Sequence, residues 1–180
     1  MEEAMARGGY GAAAEQYVIE RVNQLAGWSA VNANSLRANQ PGFDVLARHH
    51  SGRELRISVK SVSTGGKRHD YGIGRSFRTH PADVYAFVDV TGLQPWPVYL
   101  AGAHTVEVLA LERHRQYQVD RGRPVDSLNS WSPKVSRGLL EAMGARENWT
   151  LLERPDPADL PPVTDQLCAR ARGDAPAPRG

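Results

Sequence analysis

The stretch PGFDVLARHHSGRELRISVKSVS, residues 41–63, decides how this chain is read. Two apolar-rich runs, 43–48 and 55–62, flank a polar segment containing Ser51-Gly52, which predicts a hairpin turn between two strands. Alternate residues of a strand face opposite sides, so Leu55, Ile57 and Val59 form one apolar row while Glu54, Arg56, Ser58 and Lys60 form the other. In the first run Phe43, Val45 and Ala47 alternate with Asp44, Leu46 and Arg48. Closing the hairpin carries Asp44 to the 58–60 end of its partner, on the face that Lys60 occupies. A carboxylate and an amine are predicted side by side.

Upstream, residues 10–26 are rich in Ala, Glu and Gln and stop at Gly27, the pattern of a helix with an apolar stripe of Tyr10, Ala14, Val18, Val22 and Leu25. Glu15 lies three residues before Val18 and seven before Val22, which puts it on the edge of that stripe while Gln16 and Glu20 point outward. An inward carboxylate is costly unless paired, hydrogen-bonded or bound to a cation, so Glu15 needs a partner. Further strands are predicted at 29–33, 84–90 and 98–101, a Gly-rich basic loop at 65–81, and helices at 106–113 and 133–143, with 149–152 closing the body. This order implies an α/β domain over residues 1–153: a mixed sheet with helices against its faces. Residues 154–180, dense in Pro, Ala, Asp and Arg, read as a tail that is flexible or packs on the body or a partner.

Composition removes several classes. The single cysteine, Cys168, excludes an internal disulfide and a Cys-based zinc cluster, and gives a nucleophile no activating neighbours. No apolar run is long enough for a membrane span, and the acidic start MEEAMARGGYG is unlike a secretory signal; the expected location is the cytoplasm. Adjacent His49 and His50 are expected to diverge, which disfavours zinc. HExxH, GxSxG and GxxxxGK[ST] are all absent, and GIGRSF (72–77) lacks the strand-before, helix-after setting of a phosphate loop, so it reads as a DNA-facing or lid loop.

The formal net charge of +2 says little, but its distribution says more. Residues 45–81 hold eight Lys or Arg against Glu54 and Asp70 only. Such a local excess suits a surface that tracks phosphates, because neutralising them releases counterions and gives sequence-independent affinity. Arg48, Lys67, Arg68, Arg75 and Arg78 are the candidate contacts to a nucleic-acid backbone. The competing reading of the same charges is a solvated face.

Taken one at a time, Glu15, Asp44 and Lys60 are ordinary surface residues. As a set they have a chemical meaning, since metal-assisted phosphodiester hydrolysis needs carboxylate oxygens for a hard cation and a lysine to orient or activate water. In this order GYGAAAEQYV with Glu15, PGFDVLA with Asp44 and RISVKSVS ending at Lys60 resemble the PD-(D/E)xK nuclease superfamily, over roughly residues 8–90. The resemblance implies a restriction-endonuclease-like fold, a central mixed β-sheet of four to five strands flanked by α-helices. It implies Asp44 as metal-binding aspartate, Lys60 as catalytic lysine, Glu15 as a first-helix metal ligand and the Val59 carbonyl as a further one. Mg2+ (or Mn2+) would be the cofactor, DNA the partner, and a homodimer the assembly that many nucleases of this fold use.

Ser58 departs from the pattern, standing where the motif has Asp or Glu. Its hydroxyl is a weaker ligand for a hard cation than a carboxylate, or a hydrogen-bond donor to phosphate. Glu15, Glu54 or Asp89 can supply the lost charge, and Glu15 is favoured because its position on the helix otherwise lacks a reason. The same departure supports an alternative reading: a catalytically inactive module of this fold that binds nucleic acid or a protein partner.

Overall fold

A computed structural model describes residues 9–36, 42–62, 70–73, 82–122 and 134–153. Helix α1 (Gly9–Asn23) buries Ala14, Tyr17, Val18, Ile19 and Val22. Tyr10, expected on its buried stripe, is 38% exposed, because the first turn of α1 carries exposed residues only. Strand β1 (Trp28–Asn32), short helix α2 (Ala33–Leu36), β2 (Val45–His49) and β3 (Glu54–Val62) follow. Then come β4 (Asp70–Gly72), β5 (Val84–Asp89), β6 (Val98–Gly102), α3 (Ala103–Asp120), β7 (Lys134–Ser136) and α4 (Arg137–Ala142), with a 3-10 turn at Trp149–Leu152.

The main sheet runs β1-β2-β3-β5-β6, antiparallel throughout except for the parallel β3–β5 pair, and a second sheet pairs β4 with β7. Strand β5 is buried at all six positions because both of its faces are covered. Val84, Ala86 and Val88 pack with Leu55, Ile57, Val59 and the inner face of α1. Tyr85 and Phe87, on the opposite face, pack with Val106, Leu109 and Ala110 of α3 and Leu139 and Leu140 of α4. The result is a five-stranded mixed sheet between helical layers. No helix among the described residues is long and apolar enough to cross a membrane.

Three expected elements differ. Residues 133–143 were expected as one helix, but β7 occupies 134–136 and the helix is confined to 137–142. The reason is a distant pairing: Lys134, Val135 and Ser136 face Gly72, Tyr71 and Asp70. That pairing also places strand β4 inside the expected 65–81 loop. Helix α3 spans 18 residues where 106–113 was expected, and Arg113 on it makes a two-pronged contact with Asp70 at 3.1 and 2.9 Å. The expected tail, 154–180, lies outside the described residues.

Gly27 explains how α1 turns into β1. Its φ of +78° is left-handed, and a Cβ there would stand 2.3 Å from His50 Nδ1 and 2.6 Å from His49 Nε2. Those two rings lie 4.1 Å apart at 40° and pack together beside Gly27, rather than diverging as adjacent histidines were expected to do. Gly27→Ala is expected to cost about 1–3 kcal/mol, from the left-handed backbone and the displaced imidazoles. At roughly 2–4 °C per kcal/mol for a chain of this size, a thermal melt will show the loss as a lower Tm. An unchanged Tm would show that the turn tolerates a side chain.

Candidate active site

Asp44 sits immediately before β2 and is fixed through its backbone on both sides. Its N–H donates to the Ile57 carbonyl and its own carbonyl accepts from Ala33 N–H, each at 2.9 Å. With Val45 opposite Ile57, the register brings the Asp44 side chain alongside residues 58–60 of β3. Its Oδ2 accepts from the Val59 N–H at 2.6 Å and the Ser58 hydroxyl at 3.2 Å, and lies 3.6 Å from Lys60 Nζ. Oδ1 takes none of these bonds. Both side chains of the Lys60–Asp44 pair are about a quarter exposed, so the attraction is partly screened and contributes modestly to stability.

Ser58 is 1% exposed and stands opposite Tyr85 across the parallel ladder. A carboxylate at this position would face Asp44 directly. The serine hydroxyl instead donates to it, a hydrogen bond where an acid would make a like-charge contact.

Glu15 approaches from α1. It is half-buried, and its Oε2 accepts from Asn32 Nδ2 at 3.0 Å. Burial raises its proton affinity above the ordinary glutamate value and the Asp44 charge raises it further, while the Asn32 hydrogen bond and the Lys60 ammonium act in the opposite direction. The four residues Glu15, Asp44, Ser58 and Lys60 are thus brought to one place by α1, the start of β2 and the middle of β3.

No protein-family profile matches the sequence, and no curated protein matches it. Among solved structures, the bacterial homing endonuclease I-Ssp6803I superposes on 82% of this chain and 91% of its own, with a TM-score of 0.52 and 16% identity. The fold is nuclease-like.

Within that fold the remaining candidates are placed elsewhere or not at all. Arg48 pairs with Glu54 at the exposed hairpin end, four residues along β2 from Asp44 and so roughly 13 Å away at strand rise. Glu54 is therefore no source of a second carboxylate beside Asp44. Asp89 is not one either: it is 3% exposed and accepts from Arg137 Nη1 at 3.0 Å and from Thr91. Lys67, Arg68, Arg75 and Arg78 lie outside the described residues. Among the described residues no three His, Cys, Asp or Glu converge as a metal site.

Sequence reading missed two neighbours of the site. Asn32 looks like any polar residue ending a strand, and its bond to Glu15 appears only once α1 and β1 are docked. Tyr85 is visible inside an apolar strand, but its place beside Ser58 follows from the β3–β5 register. Burial, then the charges of Glu107 and Asp44, push its phenol up to about 12, so it stays protonated at neutral pH.

The raised proton affinity of Glu15 has a consequence for stability, because the folded state binds its proton more tightly than the unfolded chain does. This contribution is fully present below the unfolded value of about 4.5 and is lost as pH rises through the folded one. Glu15→Gln, which keeps an acceptor for Asn32 without the charge, is expected to raise Tm at pH 7 and to leave it unchanged near pH 4. Melts of both proteins at the two pH values check this, and equal Tm values at pH 7 would contradict it.

Proposed function

We propose that the protein is a metal-dependent nuclease of the PD-(D/E)xK kind that hydrolyses phosphodiester bonds in DNA. The observation that carries the reading is the placement of Glu15 and Asp44 together beside Lys60 on a nuclease-like fold. The structural neighbour's description as a homing endonuclease supports the same direction.

The donor set fits a hard divalent cation. Two carboxylates and a main-chain carbonyl are oxygen ligands of the sort Mg2+ takes, with water and substrate phosphate completing the shell. Burial first, and then the like charge of Asp44, tighten the proton on Glu15, and a cation bound by both acids would offset that like charge. Asp44, Glu15 and the Val59 carbonyl would hold Mg2+ or Mn2+, and the bound ion would supply Lewis-acid polarisation of the phosphate and a more acidic water. Lys60 is within reach of the same carboxylate, placed to orient the attacking water and to offset negative charge as it grows on the phosphate. Ser58 and the Val59 N–H aim Asp44 by donating to one of its oxygens. Arg48, Lys67, Arg68, Arg75 and Arg78 would hold the DNA backbone.

One observation favours a second reading. Ser58 removes a negative charge from the site, and a nuclease-fold module that binds nucleic acid without cutting would show the same substitution.

Cleavage of plasmid and linear DNA with Mg2+ or Mn2+ separates them. For the nuclease, Lys60→Ala and Asp44→Asn each lower the rate by about 10²–10³-fold, the scale of losing one electrostatic stabiliser of a transition state. Unchanged rates in both variants would overturn the assignment, while DNA binding without cutting by the wild type selects the silent module. In either case affinity is expected to fall steeply with salt, and removal of one phosphate contact such as Arg48 to lower the salt slope by about 1.

A further inference from the structure

The end of the edge strand β1 bonds to both acidic residues of the site, one through its carboxylate and the other through its backbone. Asn32 Nδ2 donates to Glu15 Oε2 at 3.0 Å, and the next residue, Ala33, donates its N–H to the Asp44 carbonyl at 2.9 Å. One dipeptide therefore fixes the Glu15 carboxylate through a side chain and the Asp44 backbone through a peptide group.

The Asn32 amide is oriented by a separate set of bonds. Its Oδ1 accepts from Asn34 N–H at 2.9 Å, and its main-chain carbonyl accepts from the Ser35 hydroxyl at 2.6 Å. With the oxygen committed to a donor in the turn, only the NH2 end is left to face Glu15. The turn requires Oδ1 and makes no use of Nδ2, so the bond to Glu15 is not a by-product of starting α2. The chemistry of the group matters too. Lysine or arginine in this place would cancel the negative charge that a cation site needs, whereas an amide restrains the carboxylate and adds no charge.

We infer that Asn32 is a positioning residue that holds Glu15 beside Asp44 as a ligand for a divalent cation, an inference that rests on the metal-dependent reading above. A glutamate on a helix has three side-chain torsions, and without this restraint Glu15 has the freedom to turn toward water, away from a neighbour of like charge. Fixing it in advance removes that ordering cost from metal binding, in the way that outer hydrogen-bond partners tune metal sites generally.

The test is Mn2+ affinity of the full-length protein without DNA, by calorimetry, for the wild type, Asn32→Ala, Glu15→Gln and the double variant. Asn32→Ala is expected to weaken binding about 10-fold or more, the range seen when such a partner is lost. The double variant is expected to bind no more weakly than Glu15→Gln alone, because Asn32 acts through Glu15. Ser35→Ala, which loosens the same turn but leaves the Asn32 side chain in place, is expected to bind as the wild type does. Should Asn32→Ala unfold, Asn32→Ser keeps an oxygen for the Asn34 N–H, lacks the reach to Glu15, and is expected to show the same loss. Wild-type affinity in a folded Asn32 variant, or fully additive losses in the double variant, would overturn the inference alone. A wild-type protein that binds no Mn2+ would overturn the metal site itself, and this role with it.

Discussion

Asp44 Oδ2 accepts hydrogen bonds from the Ser58 hydroxyl and the Val59 N–H while Lys60 stands 3.6 Å away, and this three-sided arrangement depends on the register of one hairpin. Side-chain direction alternates along a strand, so a slip of one residue between β2 and β3 would turn Ser58 and Lys60 toward α1 and leave Asp44 without its donors. The register is held by the core. Val45, Ala47, Leu55, Ile57 and Val59 all lie in the cluster under α1, and a slip would expose the whole row. Burial of apolar side chains thus aims the polar ones, and the site inherits its geometry from packing on the other face of the same strands.

A second constraint is electrostatic. Docking α1 against this sheet brings Glu15 into the range of the Asp44 charge, an unfavourable contact that Asn32 and Lys60 offset in part. Charges of like sign kept close in a half-buried place are uncommon in parts of a protein that serve stability alone. Ser58 fits the same balance: a third acid here would sit in a buried position beside Asp44, and the hydroxyl avoids that cost while leaving two carboxylates.

Much of this was legible in the chain itself, for identifiable reasons. The hairpin is a local feature, so strict alternation and the Ser51-Gly52 turn sufficed to place Asp44 against Ser58 and Lys60. Glu15 was conspicuous because helical spacing put an acid at the margin of an apolar stripe. What escaped notice depends on contacts between distant segments. Lys134, Val135 and Ser136 form a strand because Asp70, Tyr71 and Gly72 lie opposite them, and no signal near residue 134 announces that partner. The long polar half of α3 is held partly by Arg113 meeting Asp70. Asn32 and Tyr85 join the site only through the docking of β1 with α1 and the parallel β3–β5 register. Glu54 and Asp89 were plausible acids until their partners, Arg48 and Arg137, were seen.

Diffraction from a crystal soaked in Mn2+, recorded for its anomalous signal, tests the convergence of the two acids most directly. The account predicts a peak bonded to carboxylate oxygens of both Asp44 and Glu15, with Lys60 alongside and Asn32 still donating to Glu15. An absence of any peak between those two side chains, in a protein whose sheet and first helix are placed as described, would contradict it.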